Sequence, residues 1–328
     1  MFDFSKSVDT IKNLFSSRRD HDHYRLITLA NLDGVVCAAL LKELDMIDRV
    51  EFTNPASILG ERFHVGHRDI TANLPFRRSA HLAFDHYSSE RERRSHKILA
   101  NHINSPGSPT CGRIIYRYFG EKEAFPDFPQ DMLEGSDKGS SASFTKEEII
   151  SPQGWDLLFV LLNPRTGMQK MKSLQFSHES TLYKLVDYSR RHTIDQILAL
   201  PEIVERKNLY REHQKSFEQQ IKQCAVDYGN IVVLDQRKMD ASYVGNRFLI
   251  YCIFPECKLS IHINALPESD KVEFAIGKSI LDRKAPVNVG NLALQFGGGG
   301  HTNAGAFRAD ADDTDNIVEQ LIKTLKNS

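Results

Sequence analysis

Four consecutive glycines followed by a histidine, Gly297-Gly298-Gly299-Gly300-His301, sit inside the run LQFGGGGHTNAGAFRA. Four missing Cβ atoms let a backbone turn through conformations closed to other residues and approach a neighbour closely. The run is bracketed by apolar Leu292, Leu294 and Phe296 and closed by a second small pair, Ala304-Gly305, which is not the pattern of a free linker. It predicts a structured turn whose backbone N–H groups cradle an anion, with His301 donating beside it. Upstream, NIVVLDQRK, RFLIYCIFPE, CKLSIHINA and KVEFAIG read as strands, and TDNIVEQLIKTLKN reads as a terminal helix. Together they predict a C-terminal α/β unit of about one hundred residues.

The N-terminal half has a different grain. YRLITLANLDG reads as a buried strand ending in a turn, VVCAALLKEL as a helix, and HRDITANLP and HLAFDHY as further strand ends. Strands alternating with helices predict a mainly parallel sheet, which binds ligands at its carboxyl edge, so Asn31, Asp33, Asp69, Asp85 and His86 are expected to converge. RERRSHKILANHI and GRIIYRYFGEKEA carry strong helix formers, while residues 126–155 read as a long loop holding one short helix, FTKEEI. Residues 7–17 have helical spacing. From 193 to 228 the pattern is helical and charged, as for a helix joining two domains. The expected layout is 1–200, a connecting helix 201–228, and 229–328.

With 328 residues there is room for two such domains, and a net charge of −1 excludes a surface built to coat duplex nucleic acid. No run of about 18 apolar residues predicts a membrane span, and the N-terminus lacks the apolar core of a secretory signal. Five cysteines without CxxC spacing exclude a thiolate zinc knuckle and argue against a disulfide framework. A cytoplasmic protein with reduced thiols is expected.

Several carboxylates and imidazoles are what two-metal phosphoryl chemistry needs, although a single Asp before a helix is more often its cap. Here the set is Asp33, Asp69, Asp85 and His86. FDHY with a downstream GGGGHTNAG resembles the DHH phosphoesterase superfamily, in particular its exopolyphosphatase-related and oligoribonuclease-like branch. LDGVVCAALL, DITANLPF, SPQGW, NPRTG, NRFLIY and NVGNL extend the resemblance over nearly the whole chain. It implies two α/β domains, a site in the cleft between them, and manganese-dependent hydrolysis of substrates from oligonucleotides to polyphosphate.

Matched to the family's motifs, the chain departs at several points. Leu29 and Asn31 stand where a His and an Asp are usual, with Asp33 kept. Asp69 matches the second-motif Asp. Asp85-His86-Tyr87 lacks the second His of the name-giving motif. Asp137 is kept, and Ser140 replaces the aspartate three residues on. Leu29 offers no lone pair and Asn31 no charge, so the resemblance implies at most one ion, Mn or Mg, held with reduced affinity by Asp33, Asp69 and His86. By the same carry-over, Arg247, Arg283, Gly298, Gly299, Gly300 and His301 would hold the substrate, with His86 and His301 as candidate catalytic groups. The expected function is a catalytically impaired protein that binds a phosphorylated small molecule or a short single-stranded oligonucleotide. The alternatives are an active metal-dependent phosphodiesterase, in which Asp137 or a nearby histidine replaces a lost ligand, and a protein-binding scaffold. A homodimer or protein partner is compatible with all three.

Overall fold

The computed structural model describes residues 23–326 apart from 61–62, 96, 238, 240–242 and 267–268. The helix expected over residues 7–17 lies outside the described residues. The fold is α/β, with a parallel sheet in the N-terminal part and a mixed sheet in the C-terminal part.

The first sheet has five strands: β1 (Tyr24–Leu29), β2 (Ile47–Thr53), β3 (Asp69–Ala72), β4 (Leu82–Asp85) and β5 (His102–Asn104). Their order is β2-β1-β3-β4-β5 and every neighbour is parallel. The chain order therefore reverses at β1, with β2 on one side and β3 on the other. The crevice at such a reversal, outside the carboxyl ends, is where open α/β sheets bind ligands. Helix α1 (Leu32–Glu43) starts there, and ten of its residues, Leu32 to Leu41, are buried.

Helices α2 (Ser88–Arg93), α3 (Cys111–Tyr118), α4 (Gln130–Ser140), α5 (Gly154–Leu162) and α6 (His178–Tyr188) belong to this half, with shorter helical turns at Pro55–Leu59, Lys146–Ile150 and Ile194–Leu198. Two readings from sequence change here. The helix expected over RERRSHKILANHI stops at Arg93, and His102–Asn104 becomes the edge strand β5 on β4. The expected long loop instead holds α4. Its glycines allow close packing, since a Cβ on Gly135 would lie 2.5 Å from Trp155 and one on Gly139 2.2 Å from the Phe159 ring. Two residues that usually weaken a helix here let it press against α5.

Helix α7 (Pro201–Cys224) leads to the second sheet, of order β10-β11-β9-β8-β7-β6. Its strands are β6 (Ala225–Asp227), β7 (Ile231–Asp235), β8 (Leu259–Ala265), β9 (Lys271–Lys278), β10 (Gly299–His301) and β11 (Ala304–Asp310). RFLIYCIFPE, expected as a strand, forms the short helix Leu249–Ile253. Alternation along β8 and β9 sends Ile261, Ile263, Val272, Phe274 and Ile276 into a core with α8 (Val289–Gln295) and α9 (Thr314–Lys326). Ser260, His262, Asn264, Glu273, Ala275 and Gly277 take the other face, toward the N-terminal half. Among the described residues no helix is long and apolar enough to cross a membrane.

Candidate functional site

Asn31, Asp33, Asn73, Asp85 and His86 meet at the carboxyl edge of the first sheet, each for a local reason. Asn31 caps α1, its side chain accepting from the Gly34 amide at 2.9 Å. Asp33 is fully buried in the first turn of α1. Its carboxylate accepts from Asn73 Nδ2 (2.9 Å), from the Cys111 amide (3.1 Å) and from the Gly112 amide (2.9 Å). Asp33 thus serves as a remote acceptor at the N-terminus of α3, whose own cap is Thr110. Burial pushes its pKa up, opposed first by the His86 charge and then by the two amides.

Asn73, at φ 60°, follows the last residue of β3, and its side-chain Oδ1 accepts from the Tyr87 hydroxyl at 2.7 Å. Tyr87, Asn73 and Asp33 therefore form a continuous chain of hydrogen bonds. Asp85 is also satisfied within the protein, accepting from the Tyr87 amide (2.6 Å), His102 (2.9 Å) and Asn104 (2.8 Å). Leu29 ends β1 against the small apolar cluster of Ile27, Ile58 and Leu74.

Asp69 is the clearest departure from expectation. It opens β3 rather than ending it, about 13 Å of strand from Asn73. There its carboxylate is gripped by Arg25 through two bonds of 2.7 Å and by the Gly66 amide, also at 2.7 Å, and its pKa is lowered. Burial opposes that lowering; the Arg25 guanidinium and the amide outweigh it. Asp69 and Asp33 thus sit at opposite ends of the sheet and share no ion. Asn73 is the residue that sequence reasoning passed over; DITANLP contains it one step beyond the strand, which is the signal that would have found it. Asp137 lies nearer, but it is bound to Arg113 (2.7 Å) and Thr110 (2.6 Å). Of the histidines considered as replacement ligands, His23 contacts Asp45 and His81 stacks on Tyr24, both beside the first residues of β1, and His64 gives its carbonyl to Arg25. His67 is exposed, and His21 lies outside the described residues.

The residues at the sheet edge do not fit a pair of hard divalent cations, which require several oxygen ligands around two adjacent ions. One carboxylate faces the place, and four protein donors already occupy its oxygens: Asn73 Nδ2, the Cys111 and Gly112 amides and, at 3.7 Å, the Cys37 thiol. What the edge does bring together is the mixed group Asp33, His86 and Cys111, whose ligand atoms lie within 4.8 Å of one another. Burial holds the Cys111 thiol well above the ordinary range, and its Sγ donates to the Phe84 carbonyl at 3.4 Å.

The second lobe closes over this edge. The rings of His86 and His301 stand 6.4 Å apart. Of the three amides expected to cradle an anion, those of Gly298, Gly299 and Gly300, the first and last are instead taken up within the protein. Gly298 N–H donates to the Ala293 carbonyl and Gly300 N–H to Ser89 Oγ (2.9 Å), while Arg93 donates to the Gly298 carbonyl (2.8 Å). A Cβ on Gly299 would lie 2.7 Å from Ser89 Oγ, and one on Gly298 2.0 Å from the Ala306 carbonyl oxygen. The glycines let the β10–β11 hairpin seat on α2 and α8. Arg283 also spans the lobes, donating to the carbonyls of Ser141 (2.6 Å) and Ala142 (2.7 Å).

Between the lobes lies a cavity of about 210 Å³, lined at one end by Arg165, Arg247, Arg283, His262 and His301. Arg165, in NPRTG, had drawn no role from the sequence. Among the described residues neither Arg165 nor Arg247 has a carboxylate partner within ion-pair distance, and Arg247 Nε is buried without a hydrogen bond. Burial and the neighbouring Arg165 charge bring Arg247 down to about 9. Burial with nearby cations brings His262 and His301 down to about 3. His301 Nδ1 accepts from the Asn303 amide at 3.2 Å, so the neutral ring carries its proton on Nε2. Arg247 is half-buried and Arg165 exposed where they line the cavity, and cations without counter-charges around a cavity make an anion site.

No protein-family model matches the chain, and no curated protein matches it either. Among solved structures it resembles PggH of Vibrio cholerae, a pGpG-specific phosphodiesterase, at 37% identity and TM-score 0.70, covering 93% of this chain and 99% of that one. It is also similar to RecJ of Thermus thermophilus in complex with Mn²⁺, at 12% identity and TM-score 0.45, covering 99% of this chain and 55% of that one. Against CDC45 of Entamoeba histolytica the values are 9% and 0.47, with 98% and 99% covered. With 37% identity to PggH over 93% of its length, the chain belongs to the DHH phosphoesterase superfamily.

Proposed function

We propose that this protein binds a phosphorylated nucleotide, such as the 5′-phosphorylated dinucleotide named for PggH, and does not hydrolyse it at phosphodiesterase rates. One observation carries the reading: Asp33 spends its lone pairs on Asn73, Cys111, Gly112 and the Cys37 thiol, whereas the cationic end of the cavity has no internal counter-ion. Without ions, water activation and charge stabilisation of the leaving oxygen are both missing, each a contribution of several kcal/mol in a metal phosphoesterase. What the protein retains is the holding of the phosphate. Arg165 and Arg247 supply charge, and His301 supplies a neutral Nε2–H donor.

A second reading, residual hydrolysis with one ion on Asp33, His86 and Cys111, is favoured by the proximity of those three groups. The test is calorimetric titration of pGpG, followed by turnover assays in excess Mn²⁺ and in excess Zn²⁺. Binding without turnover is the expected result. Turnover at about 1 s⁻¹ or faster, within the ordinary range for enzymes, would sink the proposal. Failure of pGpG, mononucleotides and polyphosphate to bind at all would leave the scaffold reading in its place.

A further inference from the structure

The cavity is polar in two opposite senses. Along its wall, β8 and β9 pair as Ser260 with Gly277, His262 with Ala275, and Asn264 with Glu273. The middle rung lies under the arginine charges, because Arg247 and Arg165 both act on His262. The last rung is about 7 Å further along the strand and carries the acid Glu273 beside the amide of Asn264, with Gln236 lining the same end. On β9 the residue between is Ala275, whose small side chain takes little of the floor, while the Tyr251 hydroxyl covers Gly277 one rung beyond. Glu273 is half-buried, and among the described residues it makes no ion pair; its cross-strand neighbour Arg308 on β11 is exposed and does not close on it within 4 Å.

We infer that Glu273, with Asn264 and Gln236, reads the base of the bound nucleotide and selects guanine. The inference rests on the proposed nucleotide binding and adds which residues read the base. A carboxylate accepts only, and its two oxygens match two adjacent N–H donors. Guanine presents such a pair, N1–H and the N2 amino group, on one edge, with O6 beside them to accept from an amide. Adenine offers an acceptor at N1 and one amino group, so the Glu273 carboxylate would face a lone pair.

The experiment titrates the full chain with 5′-GMP, 5′-IMP and 5′-AMP, which share one phosphate and differ on that edge. The wild type is expected to bind GMP at least about tenfold more tightly than AMP, with IMP between because it lacks the amino group; a factor of ten matches the loss of one charge-assisted hydrogen bond. Glu273→Gln should bring GMP and AMP within about threefold while leaving AMP affinity nearly unchanged, and Asn264→Ala should weaken GMP alone. Equal binding of the three nucleotides, or a GMP preference that survives both substitutions, overturns the base assignment and leaves nucleotide binding standing. Absence of binding by all three in the wild type, with pGpG also failing, overturns both.

Discussion

Removing the Asp33 carboxylate separates a structural acceptor from a metal ligand. Asp33→Ala strips partners from the Cys111 and Gly112 amides and from Asn73 Nδ2, all in a region closed to water. Each stranded donor costs about 1–3 kcal/mol. Against this, burial raises the Asp33 pKa, so deleting the group relieves part of that penalty. The net loss should be about 2–4 kcal/mol. For a chain of 328 residues the unfolding entropy is about 0.7 kcal/mol per degree, so the midpoint should fall by roughly 3–6 °C. Differential scanning calorimetry of the metal-free protein, with hydrogen exchange at α3, reads both the size and the place of the effect. A carboxylate kept for a cation behaves oppositely, since removing it from the empty site relieves unfavourable charge and raises the midpoint. An unchanged or higher midpoint, with no loss of protection in α3, would refute the structural assignment of Asp33.

Replacing Leu29→His, Asn31→Asp, Asn73→Asp, Tyr87→His and Ser140→Asp together should create Mn²⁺ binding measurable by calorimetry. The same set without Asn73→Asp should bind at least about tenfold more weakly, and equal affinity would show that Asn73 is not the decisive position. Gly299→Ala should destabilise the closed lobes by about 1–3 kcal/mol through its clash with Ser89, and Ser89→Gly in the same chain should recover part of that, read as coupling in denaturant unfolding. His262 and His301 near 3 and His178 near 4 all lie below the unfolded value of about 6.5, so at acid pH the unfolded chain binds more protons. Stability is full above about 6.5 and should fall by up to about 2 kcal/mol per histidine by pH 5; a flat profile from pH 7 to 5 contradicts their burial as neutral rings. Arg247→Gln should lower affinity for any phosphorylated ligand about tenfold or more, whatever the base.

Much of this was legible because local pattern and tertiary role agree. The strand–turn–helix at residues 24–43 announces a parallel α/β sheet, and the alternation in β8 and β9 announces a sheet with two different faces. FDHY and GGGGH were enough to place the family. Local pattern failed where a neighbour distant in sequence decides the outcome. Gly135 and Gly139 read as loop residues, yet they build a helix because Trp155 and Phe159 press on them. The glycine run read as an anion cradle because conformational freedom is visible in a sequence, whereas Ser89 and Arg93, more than two hundred residues away, are what occupy it. Asp69 and Asn73 are separated by four positions and lie at opposite ends of one strand. Sequence names both as polar residues at the edges of an apolar run. Which of them faces α1 and which faces Arg25 follows from strand direction and register, which exist only once the sheet has paired.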